Sequence, residues 1–146
     1  MLILSTNIIY WRNHMDINIY VNQKKINPLC QRSIAEYIKR LSPYCHLKVV
    51  CVPNKIKFTS GKNCINYALC NDNTISSEAY ASSINTLTTG GISRINYYIG
   101  YDESLYNNMS RFAVCTISPS NDMSAALLSE QIYRAYTILN NITYHK

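Results

Sequence analysis

The last twenty residues, LLSEQIYRAYTILNNITYHK from Leu127 to Lys146, organise the chain around a helix. Four apolar side chains recur at helical spacing along one stripe: Leu128, Ile132, Ala135 and Leu139. Two asparagines follow, and asparagine readily adopts the left-handed backbone that ends a helix. The sequence therefore predicts a terminal helix and, beyond it, a polar tip made of Tyr144, His145 and Lys146.

The residues of this helix also predict contacts. The apolar stripe predicts a two-fold interface with a second copy of the chain. Glu130 and Arg134 stand four residues apart in the favourable acid-first order, which predicts an ion pair on another face. The tip is either a frayed chain end, as most ends are, or an arm with a function.

Segments of alternating type precede this helix. Alternating or continuous apolar residues predict strands at 17–21, 47–52, 64–69, 94–99 and 112–117. Helical spacing predicts helices at 29–41 and from Ser76 or Ser77 to about Leu87. Asp102 is predicted to cap a short helix, and Ser118-Pro119 to cap and begin the last one. This order predicts a single α/β domain whose mostly parallel sheet is covered on both faces.

The connection between the second and third predicted strands is short. Only eleven residues, 53–63, separate them, close to the ~10–12 that a parallel crossover needs with its helix. The chain has therefore either lost a helix here or replaced it with an extended crossing.

Basic residues are concentrated in one third of the chain. The net charge is +6, and the segment from Lys24 to Lys62 contains nine lysines and arginines but a single acidic residue, Glu36. Such a one-sided basic segment suits phosphate binding and indicates RNA as a partner, with Lys39 and Arg40 as candidate contacts. The alternative is a solvated surface, which most charge runs are.

Several function classes are disfavoured by the sequence. No apolar run reaches the ~18 residues of a membrane span. None of the six cysteines form a CxxC pair, which argues against a zinc or redox motif and favours reduced thiols in the cytoplasm. Residues 1–14 lack the basic region and cleavage site of a signal peptide. We expect them to be an extension before a first strand that begins after Met15.

Three motifs point to a known family. These are EQIYRA, with the chain ending eleven residues later in YHK; IAEYIKRLSPYCHLKVVCVP from Ile34 to Pro53; and SSEAYA from Ser76 to Ala81. They resemble the ribosomal RNA large subunit methyltransferase H family, of which this chain would be a divergent member. The resemblance implies a SPOUT-like fold over residues 15–146 with a C-terminal trefoil knot, and a homodimer that methylates N3 of a pseudouridine in large-subunit rRNA.

The same resemblance implies sites for substrate and cofactor. S-adenosylmethionine is expected at three strand ends, on Leu69, on Gly100 and on the run Thr116, Ile117 and Ser118. Tyr144 and His145 match the family's terminal Tyr-His and are the expected catalytic residues. A neutral histidine can accept or relay the N3 proton, and a tyrosine can stack on or hydrogen-bond the base. Arg134 is expected to contact RNA phosphate or the neighbouring subunit.

Two departures from the family pattern keep alternatives open. Tyr101 replaces the second glycine of the family's Ile-Gly-Gly turn, where glycine permits close ligand approach and positive φ. The 116–121 loop is about two residues shorter, and Asn121 aligns with the family's histidine. One alternative is thus a non-catalytic RNA- or ribosome-binding homodimer that has lost the cofactor. The other is an unrelated basic α/β protein that binds RNA or ribosomes.

Overall fold

The computed structural model describes residues 14–58 and 60–144. Its five strands are β1 Met15–Val21, β2 Cys45–Cys51, β3 Cys64–Cys70, β4 Arg94–Ile99 and β5 Ser110–Ala113. Its helices are α1 Pro28–Leu41, α2 Ser77–Thr89 and α3 Asn121–Leu139, with a short 3-10 helix at Glu103–Tyr106. The predicted order of elements is therefore confirmed.

The five strands form one parallel sheet in the order β2-β1-β4-β3-β5. Ile17 of β1, for example, lies between Leu47 of β2 and Ile95 of β4. Because all strands run in one direction, their carboxyl ends lie at the same edge, where open α/β sheets bind ligands. The prediction of an α/β fold with a parallel sheet is confirmed.

The three described helices pack on one face of this sheet. Alternate residues of β1 and β4 point to that face and share a single core with all three helices; fully buried examples are Ile17, Ile19, Ile34, Ile84, Ile95 and Ile132. The prediction that both faces of the sheet are covered is confirmed for this face alone. The C-terminal trefoil knot stays a prediction.

The opposite face carries a row of amides that links the three central strands. Asn18 Nδ2 donates to Asn96 Oδ1 at 2.9 Å, and Asn96 Nδ2 donates to Asn66 Oδ1 at 3.0 Å. Asn96 is only 1% exposed, so these bonds satisfy amide groups that burial would otherwise leave unpaired. A shift of one residue in register would break the row, which therefore helps to fix how the site-bearing strands align.

The short connection between β2 and β3 is an extended crossing. Residues 52–63 hold no helix, Thr59 standing outside the described part of the chain. Twelve extended residues reach about 40 Å, enough to return from one end of the sheet to the other. Val52 N begins the crossing with a 2.9 Å bond to Val21 O, at the carboxyl end of β1. Of the two alternatives for this connection, the extended crossing is confirmed.

The apolar stripe of α3 does not face a second copy of the chain. Leu128, Ile132 and Ala135 are all 0% exposed and belong to the chain's own core. The interpretation of this stripe as a dimer interface is wrong. The physical reason is that α3 contacts both α1 and α2, as well as β1 and β4, so its broad apolar face is buried within the chain.

The start of α3 and the end of β5 also differ from the prediction. The cap is Ser120, whose Oγ accepts from Met123 N at 3.3 Å, and the helix begins at Asn121 rather than at Ser118-Pro119. The strand predicted over 112–117 ends at Ala113. The chain bends away there because the side chain of Asn71, rather than a neighbouring strand, binds the carbonyl groups of residues 115 and 117.

Candidate cofactor pocket and active site

A pocket of about 380 Å³ opens at the carboxyl ends of β3 and β4, against the start of α3. Leu69, Gly100 and Ser118, three predicted cofactor residues, line it together. Thr116 and Ile117 are not among the lining residues, and Ile117 is 78% exposed. The carbonyls of residues 115 and 117 instead accept bonds from Asn71. The role of Thr116 and Ile117 in cofactor binding stays a prediction.

Gly100 is required by the geometry of the turn that forms the pocket wall. Its φ is +80°, in the region that favours glycine. A Cβ at this position would also overlap the side chain of Asn121 at the first turn of α3, with Oδ1 at 2.8 Å. The Gly100 carbonyl accepts from Asn22 Nδ2 at 2.9 Å, which ties the turn to the end of β1. The glycine thus allows α3 to start directly against the β4 turn.

Tyr101 is compatible with this turn although it replaces a family glycine. It does not adopt positive φ, which in the described residues is confined to Asn54, Asn141 and two glycines. Its backbone N–H donates to the Tyr106 hydroxyl at 2.7 Å, and its own hydroxyl donates to Val52 O at 2.7 Å. Burial raises the pKa of Tyr101 to about 12, so the hydroxyl remains a donor. The loss of the second glycine therefore leaves the pocket open.

Asn71 is a pocket residue that sequence reasoning missed. It follows β3 directly, and its Nδ2 donates to Ile117 O at 2.7 Å and to Cys115 O at 3.3 Å. One amide thereby holds the loop after β5 against the end of β3. A polar residue directly after a buried strand was the available signal, since such residues meet at the ligand-binding edge.

The pocket rim carries one cation between two anions. Arg111 Nη1 lies 3.4 Å from Asp72 Oδ2, and Arg111 Nη2 lies 3.7 Å from Glu103 Oε2. All three side chains are more than half exposed, so these pairs contribute little to stability. Their sum is one net negative charge, which favours a ligand with cationic groups.

Tyr144, the described residue of the predicted catalytic tip, packs on the middle of α3. The Tyr144 hydroxyl donates to Glu130 Oε1 at 3.0 Å, and its ring meets Tyr133 edge-on at 5.2 Å. Burial, and then hydrogen bonds with Tyr37 and Glu130, raise the pKa of Tyr144 above its ordinary value. His145 lies outside the described residues.

The ion pair predicted between Glu130 and Arg134 does not form. The Glu130 carboxylate accepts from Tyr144 and, at 2.6 Å, from Gln131 Nε2. Among the described residues, no carboxylate pairs with Arg134. Tyr144, rather than Arg134, binds the Glu130 carboxylate, so the guanidinium of Arg134 stays available for another partner.

Tyr144 and the pocket are separated within one chain. Asn121 lines the pocket, whereas Glu130, the partner of Tyr144, is nine residues further along α3. At ~1.5 Å per residue this is about 14 Å along the helix axis. The structure brings Leu69, Gly100 and Ser118 together but leaves Tyr144 apart from them.

The predicted RNA contacts on α1 lie at the same end as the tip. α1 starts beside the pocket end of α3, where Asn27 N donates to Asp122 Oδ1 at 2.7 Å. Lys39 and Arg40 stand in its last turn, and Arg40 lies 5.7 Å above the ring of Tyr133. Arg40 Nε also donates to Glu36 Oε1 at 2.8 Å, a bond that lowers the Glu36 pKa. Their role in RNA binding stays a prediction.

The described residues form neither a metal-binding cluster nor a membrane-spanning helix. Among them, no group of three or more histidine, cysteine, aspartate or glutamate side chains could hold a metal ion. No helix in this part of the chain is long and apolar enough to cross a membrane.

A parallel sheet with a glycine-walled pocket at its carboxyl edge is typical of α/β proteins that bind a small ligand there. A family model described as predicted SPOUT methyltransferase matches residues 15–145. The chain belongs to the SPOUT methyltransferase family. This confirms the resemblance stated from the sequence motifs and excludes the unrelated RNA-binding alternative.

Named relatives agree with this assignment. The ribosomal RNA large subunit methyltransferase H of Limosilactobacillus reuteri (strain DSM 20016) is 33% identical over 159 residues, with 90% of this chain and 100% of the relative covered. Ribosomal RNA large subunit methyltransferase H 1 of Thermoanaerobacter sp. (strain X514) is 30% identical over 135 residues, with the same coverage. The protein of that name from Exiguobacterium sibiricum is 31% identical over 159 residues, again with 90% and 100% covered.

Proposed function

We propose that the chain transfers a methyl group from S-adenosylmethionine to N3 of a pseudouridine in large-subunit ribosomal RNA, acting as a cytoplasmic homodimer on the rRNA or the assembled ribosome. The observation that carries the proposal is the pocket walled by Gly100, in which three of the cofactor residues implied by the family resemblance meet. Relatives named as rRNA methyltransferases support the substrate class.

The pocket residues fit this cofactor. The volume of about 380 Å³ lies within the ~300–1,000 Å³ range of small-molecule sites. Leu69 and Ile99 supply apolar wall, and Asp72 and Glu103 supply acceptors at the rim. The net negative rim suits the sulfonium and ammonium groups of the cofactor, while Arg111 can meet its carboxylate.

The chemistry divides between the cofactor and the chain. When bound, S-adenosylmethionine supplies an electrophilic methyl group on sulfur. The protein has to align the acceptor nitrogen and remove its proton. The raised pKa of Tyr144 keeps its hydroxyl protonated, which argues against this residue as the general base. The proton acceptor proposed from the family motif is His145.

A second subunit completes the site. Tyr144 lies too far along α3 to reach the pocket of its own chain, so the tip has to serve a neighbouring pocket. The outward face of α3 carries Met123 and Leu127 near the pocket, 46% and 36% exposed, and Arg134 near the tip. A two-fold axis across this face near Leu127 makes the two helices antiparallel and sets each tip beside the partner's pocket.

Leu127→Arg tests this assembly. The side chain is already partly exposed, so the subunit should fold while an interface there is disrupted by charge. Light scattering on the unmodified protein should give twice the chain mass, and Leu127→Arg should shift it toward the monomer with loss of methyl transfer. Val50→Arg, at a residue 38% exposed on β2, is the control and should stay dimeric. A monomeric wild-type protein would contradict the proposal.

The compactness of the chain does not argue against activity. The Thermoanaerobacter relative is matched over its full length by an alignment of only 135 residues, and it carries the methyltransferase name. A chain without long insertions is therefore found under that name. This weakens the argument that a shortened chain has lost its function.

Two measurements together test the function. Isothermal titration should show binding of S-adenosylmethionine, and the protein should incorporate methyl groups into ribosomes that lack the modification. Mass spectrometry of the rRNA should place the methyl group on a pseudouridine. RNA binding without cofactor binding would instead establish the non-catalytic homodimer.

A further inference from the structure

We propose that a cleft beside the cofactor pocket binds the RNA strand that carries the target nucleotide, with Lys55 and Lys57 contacting its phosphates. The cleft has a volume of about 910 Å³ and lies between residues 54–57 of the extended crossing and residues 102–105. This inference rests on the proposed function, because it names where the substrate of the same site is held.

The cleft and the cofactor pocket share a wall. Gly100 and Tyr101 line both cavities, so a single backbone turn separates them. Methyl transfer requires the acceptor base directly beside the donor group. A strand held in the cleft has its bases within reach of the pocket, whereas Lys39 and Arg40 stand at the other end of α1.

The crossing is held in place by the residues of that wall. Asn22 donates from Nδ2 to Gly100 O at 2.9 Å, and its Oδ1 accepts from Asn54 N at 2.6 Å. Asn54 has a φ of +70°, a conformation that asparagine tolerates better than most residues. The Tyr101 hydroxyl bonds Val52 O at 2.7 Å. The tyrosine that replaces the family glycine thus fixes the basic crossing beside the cofactor turn.

The charges that line the cleft favour a phosphate backbone. Lys55 and Lys57 are exposed cations, and Asp102 is the one carboxylate among the described lining residues. Its oxygen Oδ1 caps the 3-10 helix by accepting from Ser104 N at 2.9 Å, and this bond lowers the Asp102 pKa. Asn22 and Asn54 add amide groups suited to sugar and phosphate oxygens. An open, polar and net-positive cleft suits an extended single strand.

Charge reversal tests the cleft. The double variant Lys55→Glu/Lys57→Glu should weaken binding of an rRNA hairpin fragment and flatten its salt dependence by about 0.7 in log–log slope per lost single-strand phosphate contact. Lys48→Glu/Lys62→Glu makes the same change in net charge away from the cleft and should retain most of the slope. Equal losses in the two double variants would overturn the proposal, since binding would then follow net charge alone.

Tyr101→Phe tests how the crossing is positioned. Removal of one hydroxyl should raise the KM for RNA about 2- to 10-fold, the usual effect of one hydrogen bond, and should change the KM more than kcat. Tyr20→Phe, at a half-buried tyrosine of β1, is the control and should leave the KM for RNA unchanged. An unchanged KM in Tyr101→Phe would show that the bond to Val52 does not position the RNA site.

The outcomes separate this proposal from the proposed function. RNA binding that depends on Lys55 and Lys57, in a protein that transfers no methyl group, would support the cleft and contradict the methyltransferase assignment. Methyl transfer that survives the reversal of both lysines would support the assignment and overturn the cleft.

Discussion

The two ends of α3 are built in different ways. At the pocket end, backbone geometry decides the arrangement: Gly100 has positive φ, and its missing Cβ makes room for Asn121. At the other end, side-chain contacts decide the arrangement: Tyr144 donates a hydrogen bond to Glu130, and its ring contacts the ring of Tyr133. The comparison shows that the pocket and Tyr144 belong to separate parts of one chain, so under the proposed function cofactor binding and base activation should each be removable without the other.

Gly100→Ala should have the largest effect because it acts on the pocket itself. Backbone strain of about 1–2 kcal/mol should distort the turn, and overlap with the Asn121 side chain should displace that amide, which lines the pocket. We expect loss of measurable S-adenosylmethionine binding by titration and no methyl incorporation.

Gly91→Ala is the matched control for backbone strain. Gly91 has a φ of +91°, and a Cβ there would meet no described atom within 4 Å. The Gly91→Ala substitution should introduce a similar backbone strain and lower the free energy of unfolding by a similar amount, but it should leave cofactor affinity unchanged. Equal cofactor affinity in Gly100→Ala and wild type would show that this turn does not form the binding site.

Removal of residues 144–146 should impair the activation of the base, the role proposed for the end of α3 away from the pocket. Loss of a positioned acid–base group should lower methyl transfer by about 10²–10⁴-fold while cofactor affinity is retained. The Tyr144 contacts with Glu130 and Tyr133 also predict a modest drop in melting temperature. Activity equal to wild type would show that the tip is only a chain end.

Mixing the two inactive proteins sharpens the comparison further. If each tip serves the partner's pocket, a heterodimer of Gly100→Ala and the truncated chain contains one complete site. Random exchange makes half of the dimers mixed, so activity should recover to about a quarter of wild type. No recovery, with heterodimers verified by mass spectrometry, would show that the tip does not act across the interface.

Asn71→Asp should have the smallest effect and refines the pocket end. A carboxylate cannot donate to Cys115 O and Ile117 O, so the loop after β5 should loosen and cofactor affinity should fall about 2- to 10-fold. Asn73→Asp adds the same charge two residues later and should leave affinity near wild type. Titration calorimetry distinguishes the two, and equal losses would indicate a general charge effect.

Local patterns in the sequence were sufficient for the elements and for part of the site. Alternation and helical spacing located the five strands and three helices of the described residues, although β5 ends earlier than predicted. Asn141 adopts a φ of 54° after α3, as expected of an asparagine at a helix end, whereas Asn140 does not. Gly100 was identified from its place after a strand. These features depend on neighbouring residues, whose preferences the sequence displays directly.

Only the tertiary structure decided which partners the side chains meet. An apolar stripe predicts that Leu128, Ile132 and Ala135 will be buried. It does not indicate whether the chain's own sheet or a second copy of the chain buries them. Glu130 accepts a hydrogen bond from Tyr144 rather than pairing with the nearby Arg134, and the Tyr101 hydroxyl donates to Val52 O. Both contacts form because the fold brings together residues that are distant in sequence. Burial and helix formation follow from local composition, whereas contact partners depend on the path of the whole chain.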